Sequence, residues 1–222
     1  RRKIPKDSEN TALSSTSIHK HYTLLSSLLS QAEVWGMISF NPCKRVKPPK
    51  FERKPISIYD EETLGVFLGH LADEPINHRL MVSLALIGGL RREEIFGLCW
   101  QDVNFSESSI FIRQASVYIP GEIITKAPKN AGSVRKVSLP KSTMDLFVIH
   151  QEEQSQKKQD LANKWVDSQR VFTQWNGRPA HPHSFATWLN RFTDKYELPH
   201  ITPHKFRHMN ATYLIKSGTD IR

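Results

Sequence analysis

Cysteines are scarce in this sequence, and long hydrophobic runs are absent. Cys43 and Cys99 are the two cysteines of 222 residues, too few for a disulfide framework and without the spacing of metal ligands. No apolar stretch approaches the roughly 20 residues that a membrane-spanning helix needs. The basic residues 1–6 lead into polar residues rather than into the apolar segment of a signal peptide. We therefore expect a cytoplasmic protein with reduced thiols and no membrane association.

The sequence also lacks the motifs of common cofactor sites. It contains no glycine-rich phosphate loop and no dinucleotide fingerprint, so neither ATP nor NAD is implied. Its ten histidines include His204 and His208, whose spacing could bind zinc from one helix face. No glutamate follows His204, however, and Pro203 would leave His200 outside the helix. We expect no metal and no cofactor.

Positive charge is plentiful, and it is concentrated near the start of the chain. The formal net charge is +9. Residues 1–54 contain 11 lysines and arginines against 4 acidic residues, whereas the remaining residues contain 20 against 18. Such a bias indicates either a solvated basic surface or a surface that contacts the phosphate backbone of a nucleic acid.

The first part of the chain predicts one helix followed by a linker. An apolar stripe with helical spacing runs from Ser14 to about Trp35, and Gly36 ends it. Residues 41–50 contain three prolines and four cations and predict an extended basic segment rather than a core element. We assign residues 1–42 to a first domain, 43–55 to a linker and 56–222 to a second domain.

The second domain is predicted to be mainly α with a small antiparallel β-sheet, an α+β fold. Strand signals are confined to residues 109–139, where short β-prone runs alternate with turn signals at residues 120–121 and 129–132. Helical periodicity occupies the flanks. The expected helices follow Asp60, span Asn77 to Ile87, begin near Arg91, and span Lys141 to about Trp165, His183 to Lys195 and Pro203 to Ser217.

The helix that begins near Arg91 is the first place where chemistry is indicated. Gly88 and Gly89 stop the preceding helix, so Arg91 lies where backbone N–H groups and the helix dipole favour an anion. Glu94, three residues later, can reach back and orient a neighbouring cation. Taken alone, Arg91 and Glu94 could equally form a surface ion pair worth roughly a few tenths of a kcal/mol.

A second basic motif opens the last predicted helix. Thr202 suits the N-cap and Pro203 the first turn. His204 and Arg207 then share one face at the positive end of the helix dipole, and His208 lies one turn from His204. Two guanidiniums that converge on one anion beside a histidine suit a phosphate undergoing reaction. A capped helix with polar residues on its wet face would give the same pattern.

Two lysines, Lys126 and Lys129, lie in the predicted turn region between two strands. A hairpin can carry a lysine towards a leaving group while its flanks stay rigid. Most such lysines only keep a loop soluble, so neither residue alone indicates chemistry.

Taken together, these segments resemble the tyrosine recombinase (phage integrase) family. Residues 89–102 are similar to its first arginine box, in which G-L-R is followed by Glu, Leu, Trp and Asp. Residues 128–135 resemble the P-K-T stretch that carries the family's hairpin lysine, and residues 204–208 resemble the H-x-L-R-H second box. Residues 14–50 resemble the end of the family's core-binding domain, and the whole chain most resembles integrases of mobile elements.

The resemblance implies a site-specific recombinase that cleaves and rejoins double-stranded DNA through a 3′-phosphotyrosyl intermediate, without metal or ATP. It implies that Arg91 and Arg207 bind the non-bridging phosphate oxygens and that Lys129 is the general acid, with Lys126 as the fallback. His204 would contact the phosphate and assist proton transfer, while Glu94 and His208 would have supporting roles. The linker would cross the DNA backbone between the two domains through Lys44, Arg45, Lys47, Lys50, Arg53 and Lys54.

The sequence departs from the family at its nucleophile. In the family the nucleophilic tyrosine lies downstream of the second box, and this sequence reaches Arg222 shortly after that box. None of its five tyrosines (Tyr22, Tyr59, Tyr118, Tyr196 and Tyr213) has the context of the nucleophile. We therefore expect a fragment that is inactive by itself, from a protein that acts as a tetramer on DNA.

Two other functions remain open at this point. A non-catalytic DNA-binding module of recombinase type would explain the missing tyrosine, although binding alone does not need Arg91, Lys129, His204 and Arg207 together. A type IB topoisomerase would share the same catalytic logic, although the resemblance of residues 14–50 to a core-binding domain favours a recombinase.

Overall fold

The computed structural model describes residues 13–50, 58–127 and 134–216. The chain forms two compact units, Arg1–Ile56 and Ser57–Arg222. Within the described residues, the first unit consists of one helix and a 3₁₀ turn, and the second combines six helices with two small sheets. None of the helices in these ranges is long and apolar enough to cross a membrane.

The first unit is built on helix α1 (Ser15–Val34). The Ser14 side chain caps its start by accepting the Ser17 N–H at 3.2 Å. The helix ends before Gly36, whose φ of +70° suits a residue without a side chain. The sequence therefore predicted this helix to within one residue at each end.

The segment after α1 is only partly the extended linker that its prolines suggested. Residues Pro42–Arg45 form a 3₁₀ turn, and Cys43 within it is buried. Asn41 explains this turn, because its fully buried side chain accepts the Cys43 N–H at 2.9 Å and donates to the Ser26 carbonyl of α1, also at 2.9 Å. The hydroxyl of Tyr22 in α1 donates a hydrogen bond to the Cys43 carbonyl at 2.9 Å. The polar side chains thus hold the start of the linker against the helix.

The second unit begins with two helices that the sequence predicted, one that starts after Asp60 and one that ends shortly before Gly88. Asp60 caps the first of them by accepting the Thr63 N–H at 2.8 Å. Residues 80–85, in the helix Ile76–Leu86, are all buried, because this part of the helix is apolar on nearly every side. The helices of this unit are α2 (Glu61–Leu71), α3 (Ile76–Leu86), α4 (Arg92–Gly97), α5 (Lys141–Leu161), α6 (His183–Lys195) and α7 (Pro203–Lys216).

The β-structure forms two small sheets rather than the single one expected. Strands β1 (Val103–Asn104), β2 (Ser109–Ile112) and β5 (Arg135–Ser138) form an antiparallel sheet in the order β1-β2-β5. Strands β3 (Ala115–Ile119) and β4 (Glu122–Lys126) form a separate ribbon. Lys126, expected in a turn, is the last residue of β4 and pairs with Ala115. The predicted turn at residues 129–132 lies outside the described residues.

Aromatic rings bring three helices of the second unit together around Phe67 of α2. Phe67 is fully buried, and its ring centroid lies 4.9 Å from that of Phe192 in α6 and 5.4 Å from that of Phe206 in α7. The Tyr59 ring lies 5.8 Å away on a third side. Tilted and edge-on rings at such distances add to the burial energy. Phe67 therefore fixes the start of α7, which carries the second basic motif.

Replacing Phe67 with alanine should destabilise the second unit by about 3–5 kcal/mol, because it leaves a cavity at the meeting point of α2, α6 and α7. Urea unfolding followed by far-UV circular dichroism measures the loss. Val66→Ala is the matched control, because its neighbouring side chain is 47% exposed and its truncation should cost about 0.5 kcal/mol or less. Equal losses in the two variants would contradict this account of the core.

Candidate active site

A glycine turn between α3 and α4 brings the two basic motifs together. Gly89 has a φ of +60°, and a Cβ there would lie 2.5 Å from Oδ1 of Asn210 in α7. The bare backbone lets α7 approach closely. Asn210 Nδ2 donates to the Ile87 carbonyl at 2.8 Å, and the Arg207 guanidinium donates to the Gly89 carbonyl. The carbonyl that anchors Arg207 thus belongs to a residue only two positions before Arg91.

Arg91 occupies the N-cap position of α4, as its place after the glycines predicted. The Glu94 carboxylate accepts the Arg91 backbone N–H at 2.9 Å and the Arg91 Nη1 at 2.8 Å. The Arg91 side chain is 51% exposed, whereas that of Glu94 is 7% exposed. Glu94 thus reaches back from α4 and orients a guanidinium that still faces solvent.

Arg135, at the start of β5, is a second cation on the same carboxylate. Its Nη1 lies 3.1 Å from Glu94 Oε1 and its Nη2 lies 2.9 Å from Oε2, a bidentate pair. Burial opposes the ionisation of Glu94, yet its hydrogen bonds with Arg135 and Arg91 hold its pKa below the usual value. The sequence places Arg135 in the motif at residues 128–135 but predicts no role for it, because its contact with Glu94 depends on how β5 pairs with β2.

Helix α7 presents His204 and Arg207 from its first turns, as their spacing predicted. Burial, and then repulsion from Arg91, lowers the pKa of the half-buried Arg207 guanidinium, which stays charged near neutral pH. His204 is exposed and lines a groove of about 460 Å³. The other residues lining that groove are Arg91, Arg92, Glu93, Ala186, Thr202 and Pro203.

His208 pairs directly with His204. Their Nε2 atoms lie 3.0 Å apart, so one Nε2–H donates a hydrogen bond and the other Nε2 accepts it. Burial lowers the pKa of His204, and repulsion from His208, Arg207 and Arg91 lowers it further, against a smaller opposing effect of Glu93. With its pKa below the usual value, His204 is mainly neutral near pH 7. No grouping of three metal-ligating side chains occurs in the described part of the chain.

The lysine expected as general acid, Lys129, lies outside the described residues, as do Arg53 and Lys54 of the basic linker. Lys126 is exposed at the end of β4 and is not among the residues that line the groove. In the first unit Lys44, Arg45, Lys47 and Lys50 are all exposed. Lys44 pairs with Glu33 at 2.6 Å, and the Arg45 guanidinium lies 4.2 Å from the centre of the Phe40 ring.

None of the five tyrosines is among the described residues that line the groove, and Tyr213 packs against the core. Burial raises the pKa of Tyr59 to about 12, and its hydroxyl donates to the Pro199 carbonyl. Tyr196 stacks on His70, with ring centroids 4.0 Å apart. An attacking phenol needs access to its substrate and a group that takes its proton. The side chains described for these tyrosines do not meet that need.

Replacing Glu94 with glutamine should lower the free energy of unfolding near pH 7 by about 3 kcal/mol, since Arg91 and Arg135 lose a buried counter-charge. The pKa of Glu94 is depressed in the folded protein. Its stabilising effect is therefore present above the unfolded pKa and is lost as the pH falls through the folded one. Urea unfolding between pH 3 and 7 should show a flatter acid limb for Glu94→Gln.

The matched control is Glu93→Gln, at the adjacent and more exposed carboxylate that pairs with Arg92. Its acid limb should follow that of the unsubstituted protein. If Glu94→Gln and Glu93→Gln behaved alike, the proposed role of Glu94 as the shared counter-charge would be wrong.

Comparison with known proteins supports the relationship that the motifs suggested. The model of the phage integrase family matches residues 60–222. The chain is 25% identical over 210 residues to the ICEBs1 integrase of Bacillus subtilis (strain 168), covering 95% of this chain and 57% of that protein. It is 26% identical over 210 residues to a tyrosine recombinase of Thermosipho africanus (strain TCF52B), covering 93% of this chain and 65% of that protein.

A solved structure of the Tn1549 transposon integrase in complex with a circular intermediate DNA has the same fold. It superposes with a TM-score of 0.79 at 19% sequence identity, over 94% of this chain and 69% of that one. The chain spans less than two thirds of the length of the two relatives above. Because the family match covers the site and most of the second unit, the chain belongs to the phage integrase family, the family of the tyrosine recombinases.

Proposed function

We propose that the protein is the site-specific recombinase of a mobile element, which cleaves and rejoins double-stranded DNA through a 3′-phosphotyrosyl intermediate. The observation that carries the proposal is the meeting of Arg91, Arg207 and His204 at one glycine turn and groove. Three donors with one buried counter-charge suit a phosphodiester whose negative charge grows during reaction. The DNA in the Tn1549 integrase structure supports the substrate class.

In this mechanism the protein supplies electrostatic stabilisation. Arg91 and Arg207 donate hydrogen bonds to the two non-bridging oxygens of the scissile phosphate, and the cations balance the charge of the pentacoordinate transition state. Glu94 and Arg135 hold Arg91 in place before the phosphate arrives, and the Gly89 carbonyl does the same for Arg207. Such preorganisation avoids reorientation of the donors during the reaction.

Two proton transfers accompany the exchange of bonds at phosphorus. A tyrosine hydroxyl oxygen attacks the phosphorus and loses its proton to His204, whose neutral imidazole can accept it. The bond from phosphorus to the 5′ oxygen breaks, and Lys129 gives that oxygen a proton, with Lys126 as the fallback. One phosphoester bond forms as another breaks, so no ATP is consumed. The reverse steps rejoin the strand.

The remaining parts of the proposal concern the whole protein. The exposed cations of the first unit would bind the DNA backbone, and four protomers would assemble on the DNA in the cytoplasm. Because Tyr22, Tyr59, Tyr118 and Tyr196 are engaged in contacts elsewhere, we expect the 222-residue chain by itself to bind DNA without cleaving it. The second candidate function is a recombinase-like module that binds DNA and does no chemistry.

Covalent trapping tests the catalytic roles. The full-length gene product should form a protein–DNA adduct on a nicked suicide duplex carrying the element's own end. Arg91→Ala and Lys129→Ala should each reduce the rate of adduct formation by about a hundredfold or more. Lys157→Ala, at an exposed lysine of α5, should leave it unchanged. A 5′-bridging sulfur leaves without needing a proton, so it should restore cleavage by Lys129→Ala but not by Arg91→Ala.

Unreduced adduct formation in both variants would contradict the assigned roles. Salt-sensitive DNA binding by the full-length product, with no adduct on any duplex end of the element, would instead favour the non-catalytic module. Relaxation of supercoiled DNA without strand exchange would favour the topoisomerase.

The basic linker should contribute to DNA affinity through phosphate contacts. Replacing Lys47, Lys50, Arg53 and Lys54 with glutamine should lower the slope of log Kobs against log salt by about 0.9 for each contact removed. Fluorescence anisotropy with a labelled 30-base-pair duplex measures that slope. Glutamine at Lys141, Lys157, Lys158 and Lys164, on and just after α5, removes equal charge as a control. Equal slopes for the two quadruple variants would show that only net charge matters.

A further inference from the structure

Three side chains beside the groove form a cluster that the catalytic roles do not use. Arg92 Nη1, at the start of α4, lies 3.3 Å from His183 Nδ1, at the start of α6. The His181 ring lies 5.3 Å from the His183 ring and 4.2 Å from the ring of Tyr118 in β3. The start of α4 and the segment that leads into α6 therefore bring Arg92, His181 and His183, here called the Arg92 cluster, to one place on the surface.

The hydrogen bonds of the Arg92 cluster fix which ring nitrogens carry protons. A guanidinium only donates, so His183 Nδ1 accepts from Arg92, and the proton of the neutral His183 ring lies on Nε2. His181 Nδ1 accepts the backbone N–H of His183 at 3.1 Å, so the proton of that ring also lies on Nε2. Both imidazoles therefore present N–H donors, and His183 is exposed.

The acidic group nearest to this cluster is already engaged. Glu93 Oε1 accepts from Arg92 Nε at 3.1 Å and from Arg92 Nη2 at 2.7 Å. Arg92 and Glu93 both line the groove that contains Arg91 and His204. Ala186 of α6 also lines that groove, so the Arg92 cluster lies beside it. The two imidazole N–H groups and the remaining guanidinium N–H groups of Arg92 are hydrogen-bond donors at this place, and donors grouped in this way favour an anion.

We propose that the Arg92 cluster is a second phosphate-binding site, which holds a DNA backbone phosphate neighbouring the one in the groove. This inference rests on the proposed function, since it assigns the additional contact to the same DNA. A backbone phosphate offers acceptor oxygens only, which matches the donors of Arg92, His181 and His183. Base edges offer donors as well as acceptors and match this set less well.

The positive charge of the Arg92 cluster should increase when a phosphate binds. Burial lowers the pKa of His181, and repulsion from His183 and Arg92 lowers it further, so His181 is neutral near pH 7 in the free protein. A bound phosphate favours the imidazolium and raises that pKa. DNA binding should then take up a proton, and affinity should fall as the pH rises through the pKa of the complex. The groups that face His181 are Arg92, His183 and Tyr118, and Glu93 faces Arg92.

The test is the pH dependence of DNA binding by the 222-residue chain itself. Fluorescence anisotropy with a labelled 30-base-pair duplex, from pH 6 to pH 8 at constant ionic strength, should show the Kd rising by about three- to tenfold for the uptake of up to one proton. In His181→Gln/His183→Gln the side chains still donate but cannot become charged, so the Kd should stay near its pH 8 value throughout.

Two further variants separate this site from other histidines. His70→Gln is the matched control, because His70 stacks on Tyr196 at the opposite end of α6, about 20 Å from His183 at 1.5 Å per residue. It should keep the pH dependence of the unsubstituted chain. His181→Arg carries a permanent charge, and at pH 8 it should bind the duplex as tightly as the unsubstituted chain does at pH 6. Thermal melting of each variant checks that it is folded.

The outcomes distinguish this inference from the proposed function. Duplex binding whose pH dependence is unchanged in His181→Gln/His183→Gln, or is abolished by His204→Gln instead, would overturn the second phosphate site and leave the recombinase proposal standing. Failure of the unsubstituted chain to bind the duplex at low salt at any pH would contradict both. The second phosphate site is supported if the double variant loses the pH dependence and if His181→Arg binds the duplex with high affinity at pH 8.

Discussion

Gly89 has no side chain, and its carbonyl accepts a hydrogen bond from Arg207, which lies 118 residues further along the chain. The positions of Arg207 and His204 beside Arg91 follow from that approach of α7 to the turn. Phe206 and Met209 point into the core with no exposed surface, which fixes the rotation of α7 about its axis. Arg207 then faces the turn, and His204, one turn earlier, faces the groove. A side chain at position 89 would meet Asn210 and separate α7 from Arg91.

Each of the three arginines at the site donates hydrogen bonds to an acceptor of the protein. Arg91 and Arg135 share the single carboxylate of Glu94, while Arg207 donates to a neutral carbonyl. Glu94 is thus a shared counter-charge for Arg91 and Arg135, and it also favours the charged form of Arg207. The lowered pKa of Arg207 and of His204 reports the same crowding, since burial and neighbouring cations disfavour their charged forms. The proposed phosphate substrate would bring further negative charge to these cations.

Much of this could be predicted from the sequence, and the misses within the site come from strand pairing. The periodic helices were placed closely, and α6 has the predicted bounds, because local apolar spacing decides them. Strand β4 was missed because Glu122 and Lys126 flank a short apolar run, and α5 ends at Leu161, earlier than expected. Arg91, Glu94 and Arg207 follow from motifs, whereas Arg135 and the position of Lys126 depend on strand pairing. Pairing is non-local, and no pattern within one segment reveals it.

Two pairs of histidines lie near the groove. In the protein without DNA, a positive charge on any of them would be repelled by the neighbouring arginines. His204 and His208 meet at one side, and His181 and His183 meet beside Arg92 at the other. Permanent cations at these positions would add repulsion to a region that already holds Arg91, Arg92 and Arg207. The lowered pKa of His204 and of His181 reduces that cost, because it keeps these two rings neutral near pH 7. If the Arg92 cluster binds a phosphate as proposed, His181 gains its positive charge only when that phosphate arrives.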